Sequence, residues 1–115
     1  MEPAGDLKSK KCVPCRGGIP PLERKEAERF LASVPGWEIR EEPRRIEKRF
    51  EFDDFASALR FVNRVGQIAE AEGHHPDILF GWGYCSLTFY THKIKGLHEN
   101  DFIMAAKTDQ LASRS

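Results

Sequence analysis

Four histidines are the residues of this chain best suited to chemistry, and all of them lie within residues 74–98. The first 73 residues contain none. An imidazole has an ordinary pKa of about 6.5, so it can both donate and accept protons near neutral pH. Such a cluster of imidazoles indicates general acid–base catalysis. Its members are His74, His75, His92 and His98.

Two carboxylates are spaced so that they could support these imidazoles. Glu70 precedes His74 by four residues, and on a continuing helical turn its carboxylate would reach the ring. That contact would set the tautomer of the ring and favour its charged form. Asp101 is expected to begin the last helix, where it could support the loop that follows His92.

Three of the histidines are expected to face one solvent-accessible cleft. Pro76 disfavours helical backbone at His75, so the His74–His75 pair should leave a helix end in extended chain. A hairpin between the third and fourth strands would return His92 to the start of the third strand. Trp82, near the turn of that hairpin, is expected to lie close enough to form one wall of the cleft.

Metal binding is the competing interpretation. Zinc catalysis needs three protein ligands, but neighbours in extended chain, such as His74 and His75, point in opposite directions. Cys12 and Cys15 have the spacing of half a zinc site or a redox pair, and Cys85 is the one cysteine left to complete it. We predict two exposed thiols and no metal, with a half-site shared between chains as the alternative.

Composition narrows the class of protein. The chain has 115 residues, of which 40% are hydrophobic and 31% charged, and its formal net charge is zero. Zero net charge argues against a general nucleic-acid binder. No apolar run approaches the roughly 20 residues of a membrane span, and three cysteines argue against a secreted disulfide scaffold. We expect a soluble cytoplasmic protein with no membrane or direct nucleic-acid partner.

The elements that must position the histidines follow from hydrophobic spacing. Residues 1–20 are rich in proline and glycine and predict a flexible arm, disordered or draped over a domain at 21–115. The domain is predicted to contain helices at 22–34, 55–72 and 99–111 and strands at 37–40, 46–52, 78–82 and 85–92. This order, α-β-β-α-β-β-α, indicates an α+β fold with a four-stranded antiparallel sheet covered by three helices on one face. The inward side of the second helix is predicted to contain Phe55, Ala58, Leu59, Val62, Gly66 and Ala69.

The spacing of the candidate residues closely resembles that of the pterin-4a-carbinolamine dehydratases, bacterial members included. The similarity covers about residues 17–111 and extends to Pro35-Gly36-Trp37, Phe50-x-Phe52-x-x-Phe55 and Gly96-Leu97. The pattern that carries it is Glu70-x3-His74-His75-Pro76-x5-Trp82-x9-His92-x8-Asp101.

The resemblance implies the predicted fold, a homodimer or homotetramer, and no metal or organic cofactor. It implies removal of water from 4a-hydroxytetrahydropterin to give quinonoid dihydropterin, which recycles the cofactor of aromatic amino-acid hydroxylases. The implied catalytic residues are His74, His75 and His92, and the implied substrate contacts are His74-His75-Pro76, Trp82 and Thr91-His92-Lys93-Ile94. Some animal members also bind a transcription factor, so a non-catalytic partner-binding protein on the same fold is the alternative function.

Overall fold

Four antiparallel strands form one sheet, and three helices cover one of its faces. The computed structural model describes residues 4–13 and 19–113. Neighbouring strands pair in the order β1-β2-β4-β3, which leaves β1 and β3 at the edges. The α+β class and the predicted order of elements are confirmed. The elements are α1 (Arg24–Leu31), β1 (Glu38–Arg40), β2 (Arg45–Glu51), α2 (Phe55–Glu72), β3 (Asp77–Gly81), β4 (Tyr84–Phe89) and α3 (Glu99–Ser113), with short 3-10 helices at Ala4–Ser9 and His92–Ile94.

Alternation along the two central strands builds the core. Ile46 of β2 lies opposite Phe89 of β4, Phe50 lies opposite Cys85, and all four side chains are buried beneath the helices. Successive strand residues point to opposite faces, so the residues between them line the open face of the sheet. The predicted apolar face of each central strand is confirmed.

Lys48 shares the apolar face of β2, where its charge needs a partner. Its Nζ lies 2.9 Å from Oδ1 of Asp109 on α3. The same carboxylate accepts a hydrogen bond of 3.1 Å from the indole N–H of Trp37. One acidic side chain of α3 therefore satisfies two polar groups at the margin of the core.

The inward side of α2 differs from the predicted one. The buried residues of this helix are Ala58, Phe61, Val65 and Ala69. Phe61 lies at the centre, with its ring centroid 4.9 Å from that of Phe50, whereas Phe55 and Leu59 are 45% and 39% exposed. Apolar residues occupy a wide arc of α2, so their periodicity alone does not set which part of the arc meets the sheet. No helix in the described part of the chain has the length and apolar character needed to cross a membrane.

The described part of the N-terminal arm is draped over the domain. Leu7 is 3% exposed and belongs to the core. Nearby, the carbonyl of Lys8 accepts a 2.9 Å hydrogen bond from Nζ of Lys107 on α3. Cys12 is half-buried, and burial, helped by the charge of Glu72, raises the pKa of its thiol to about 12. Residues 4–13 are thus anchored, and the partner cysteine at position 15 lies outside the described residues.

A left-handed glycine turns the chain from α2 into the histidine pair. Gly73 has φ +68°, and Gly66 lies in regular helix; a Cβ at either position would meet nothing within 4 Å. A side chain therefore fits at both positions, and the two glycines differ only in backbone conformation. Gly73→Ala should lower the free energy of unfolding by about 1 kcal/mol, and Gly66→Ala should raise it by about 0.5–1 kcal/mol. Urea denaturation of both variants tests this, and effects of the same sign would contradict it.

Candidate active site

The carboxylate of Asp101 joins three segments of the chain at one end of the sheet. Asp101 has no exposed surface. Its Oδ1 lies 2.6 Å from Nε2 of His74, and its Oδ2 accepts hydrogen bonds of 2.9 Å from the Thr91 hydroxyl and the His98 N–H. A buried charge is tolerated when donors replace the lost water, and three donors do so here. The contacts hold together the chain after α2, the chain after β4 and the start of α3.

Local sequence explains why Asp101 stands at this position. The ring Nδ1 of His98 accepts a 3.0 Å hydrogen bond from the N–H of Asn100. Oδ2 of Asp101, three residues after His98, accepts a hydrogen bond from the His98 N–H. The two bonds cap the start of α3 in a variant of the capping box, in which the His98 ring binds the N–H of the second helical residue and the side chain of the third, Asp101, binds the His98 N–H. The first turn of α3 therefore presents the carboxylate toward His74.

His74 lies under the surface rather than in an open cleft. It is 9% exposed, and its ring stacks on that of Phe89 with centroids 6.4 Å apart. A proton on Nε2 satisfies Asp101 and leaves Nδ1 as an acceptor, and within the described residues Nδ1 has no hydrogen-bond partner. The expected solvent access is therefore wrong for His74, and so is its expected pairing with Glu70.

Glu70 contacts the next histidine instead. Its Oε2 lies 2.6 Å from Nε2 of His75. The left-handed backbone of Gly73 breaks the helical spacing, so the residue five positions after Glu70 reaches the last turn of α2. Both side chains are exposed, at 56% for His75 and 79% for Glu70. Each of the two adjacent imidazoles thus has its own carboxylate, one buried and one in solvent.

His92 is exposed and begins the 3-10 helix His92–Ile94, whereas the strand was expected to continue to it. Its ring lies against Tyr90, with centroids 4.2 Å apart. Between them, Thr91 is 3% exposed and binds Asp101. Lys93 and Ile94 follow on the same turn, exposed and half-buried respectively. Tyr90 is not among the site residues predicted from the sequence, although strand alternation places it on the same side of the chain as His92.

The strand register relates His75 to His92. Asp77 of β3 lies opposite Thr88 of β4. Continued two residues past the strand ends, this register sets His75 opposite Tyr90, whose ring contacts His92. We infer that His75 and His92 share the outer side of this end of the sheet, with His74 on the inner side.

Trp82 is remote from the histidines within one chain. It is 72% exposed and lies in the tight turn between β3 and β4. The histidine pair precedes the other end of β3, a strand of five residues that spans about 17 Å. The expectation that Trp82 forms one wall of the histidine cleft is therefore wrong for the single chain.

A concave region of about 580 Å³ lies on the open face of the sheet and not at the histidines. Its lining includes Arg49, Leu79 and Ser86, together with Asp77, which follows Pro76. We place the candidate site at the histidines because the groups suited to proton transfer are there. Among the described residues, no three histidine, cysteine or acidic side chains are arranged to hold a metal ion.

Comparisons with known proteins agree with the motif and the fold. The family model for pterin 4 alpha carbinolamine dehydratase matches residues 20–111. The chain belongs to this dehydratase family. A protein from Azoarcus sp., assigned provisionally to the same dehydratases, is 59% identical over 93% of this chain and 92% of its own length. One from Methylococcus capsulatus with the same provisional name is 55% identical over 97% and 98%.

Two solved structures show how widely the pterin dehydratase fold is used. A transcriptional coactivator/pterin dehydratase from Brucella melitensis superposes with a TM-score of 0.76 and 29% identity, over 80% of this chain and 98% of that one. A pterin dehydratase-like protein identified as a RuBisCO assembly factor in the alpha-carboxysome gives 0.60 and 30%, over 70% and 93%. The fold is thus associated with more than one role.

Two isosteric variants compare how much the buried carboxylate of Asp101 and the exposed carboxylate of Glu70 contribute to stability. Asp101→Asn should lower the free energy of unfolding by about 2–3 kcal/mol, because an amide cannot accept from all three donors. Glu70→Gln removes an equally short contact, but in solvent, so it should change the free energy by less than about 1 kcal/mol. Chemical denaturation at neutral pH measures both, and equal losses would contradict the role given to Asp101.

Proposed function

We propose that the protein removes water from 4a-hydroxytetrahydropterin to give quinonoid dihydropterin, as in the recycling of tetrahydropterin cofactors. One observation carries the proposal: two adjacent imidazoles, His74 and His75, each lie 2.6 Å from a carboxylate of their own. A carboxylate beside an imidazole orients the ring and sets which nitrogen carries the proton. Membership of the dehydratase family supports the choice of substrate.

The reaction requires one proton delivered and one removed. The lone pair of the pterin N5 forms a double bond to C4a as the C4a–O bond breaks. The departing hydroxyl takes a proton from an acid and leaves as water, and a base then takes the proton of N5. Imidazoles suit both steps because their ordinary pKa lies near neutrality. N5 supplies the electrons, so the proposed step uses no Lewis acid.

The structure supports a division of labour among the histidines. His75 and His92 are exposed, so both can reach a substrate that enters from solvent. We assign them the proton transfers to and from the pterin. His74 would take part through Nδ1, because its Nε2 is committed to Asp101. The flanking Pro76, Thr91, Lys93 and Ile94 are proposed to contact the substrate.

Loss of either exposed histidine should slow dehydration. His75→Ala and His92→Ala are each expected to lower kcat by about 100-fold, the scale of a lost general acid or base. Stopped-flow absorbance with 4a-hydroxytetrahydropterin measures the rate, and titration with a stable dihydropterin separates binding from proton transfer. Wild-type rates in both variants would refute the assignment.

Partner binding is a second candidate function, favoured by exposed apolar residues around β3. Ile78, Leu79 and Trp82 are 37%, 65% and 72% exposed. Phe55 at the start of α2 is 45% exposed and stacks on Phe80 of β3, with centroids 5.5 Å apart. An apolar edge strand with unpaired backbone groups is suited to pairing with another chain. We propose that the β3 edge pairs with a second copy of the chain to form a homo-oligomer. If the protein does not catalyse dehydration, we propose that the same edge binds a different protein.

Light scattering tests the oligomer. The wild-type protein is expected to have at least twice the monomer mass at micromolar concentration. Leu79→Lys should shift the mass toward the monomer, because it places a charge in the apolar edge. Glu38→Lys puts the same charge on the opposite edge strand, β1, and should leave the mass unchanged. A monomeric wild-type protein would contradict the proposal.

A further inference from the structure

One buried amide, that of Asn100, binds the backbone of the N-terminal arm at Val13. Asn100, in the first turn of α3, is 2% exposed. Its Oδ1 accepts a 3.0 Å hydrogen bond from the N–H of Val13, and its Nδ2 donates a 2.7 Å hydrogen bond to the Val13 carbonyl. Both polar atoms of the side chain are therefore used by the backbone of one arm residue. Moving the arm would leave a buried amide without partners, which costs free energy.

The arm also reaches the end of α2. The N–H of Cys12 donates a 2.7 Å hydrogen bond to Oε1 of Glu72, the last residue of that helix. The Cys12 thiol lies 3.8 Å from the carbonyl of Asn100. Cys12 and Val13 thus bridge the last turn of α2 and the first turn of α3.

The two partners of the buried acid–imidazole pair adjoin these turns, with His74 just after the end of α2 and Asp101 in the first turn of α3. Glu72 stands two residues before His74, and Asn100 stands directly before Asp101. The 2.6 Å contact between Nε2 and Oδ1 requires the end of α2 and the start of α3 to keep a fixed separation. Displacements of about 1 Å in such constellations cost catalysts as much as 100-fold in rate.

We propose that the arm is part of the active site, with Asn100 as a positioning residue that holds Asp101 in register with His74 through the backbone of Val13. Asn100 touches no atom that the mechanism uses, and it acts on Asp101 through the backbone they share. The catalytic consequence of this inference rests on the proposed dehydration; the positioning itself does not. Val13 contributes only backbone groups to this contact, so its side chain can vary without breaking it.

Two variants remove the contact from opposite sides. Asn100→Ala deletes the amide, and Val13→Pro deletes the N–H that Oδ1 accepts. Asn100→Ala is expected to lower kcat about 10-fold with KM within about 2-fold, and Val13→Pro should have a smaller effect in the same direction. The double variant should be no slower than Asn100→Ala, because the two changes break the same contact. Nitrogen-15 chemical shifts of the His74 ring should move from a single Nε2–H tautomer toward an average of both.

A matched control cuts a different contact of the arm. Lys10→Ala removes the exposed 2.6 Å ion pair with Glu99 and should leave kcat and the His74 ring signals as in the wild type. The proposal is overturned if Asn100→Ala lowers stability without moving the His74 signals. It is also overturned if the losses of kcat caused by Asn100→Ala and Val13→Pro add in the double variant. If wild-type protein shows no dehydration, the proposed function fails, and the ring signals alone decide the positioning.

Discussion

The carboxylate of Asp101 is wholly enclosed by protein, and burying such a charge costs several kcal/mol unless hydrogen-bond donors replace the water that it loses. Three donors do so, from His74, Thr91 and the backbone of His98. Because they come from three separate segments, those segments cannot move apart without leaving the charge unsatisfied. The need to satisfy one buried carboxylate therefore determines the architecture of this end of the molecule.

The same requirement explains why the two neighbouring histidines differ. His74 shares the burial of Asp101, so its orientation and the site of its proton are set by the interior. His75 pairs with Glu70 in solvent, where an exposed ion pair contributes little to stability. A buried acid–imidazole pair therefore lies beside an exposed one, and in the proposed reaction the exposed His75 transfers a proton while the buried pair stays fixed.

Solved structures similar to this chain have been given more than one role. The relatives include a transcriptional coactivator/pterin dehydratase and a RuBisCO assembly factor on the same scaffold. The present chain has histidines paired with carboxylates at one end of the sheet and exposed apolar residues along β3. Because function belongs to sites and not to folds, each has to be tested at its own residues.

The sequence by itself determined the order of the elements, the inward faces of the central strands and the set of candidate residues. These depend on local spacing: alternation in β2 and β4, the glycine that ends α2, and a motif that can be read without a structure. Only the tertiary structure decided which carboxylate contacts which histidine and which apolar residues of α2 pack against the sheet. It also decided that Trp82 lies far from His75 within the chain, and that Val13 is bound by Asn100. The Glu70–His75 contact spans five positions and depends on the left-handed backbone of Gly73. Two of the other contacts join residues far apart in the sequence, 27 positions for His74 and Asp101 and 87 for Val13 and Asn100. Such pairings depend on how whole elements pack, and local spacing does not record that packing.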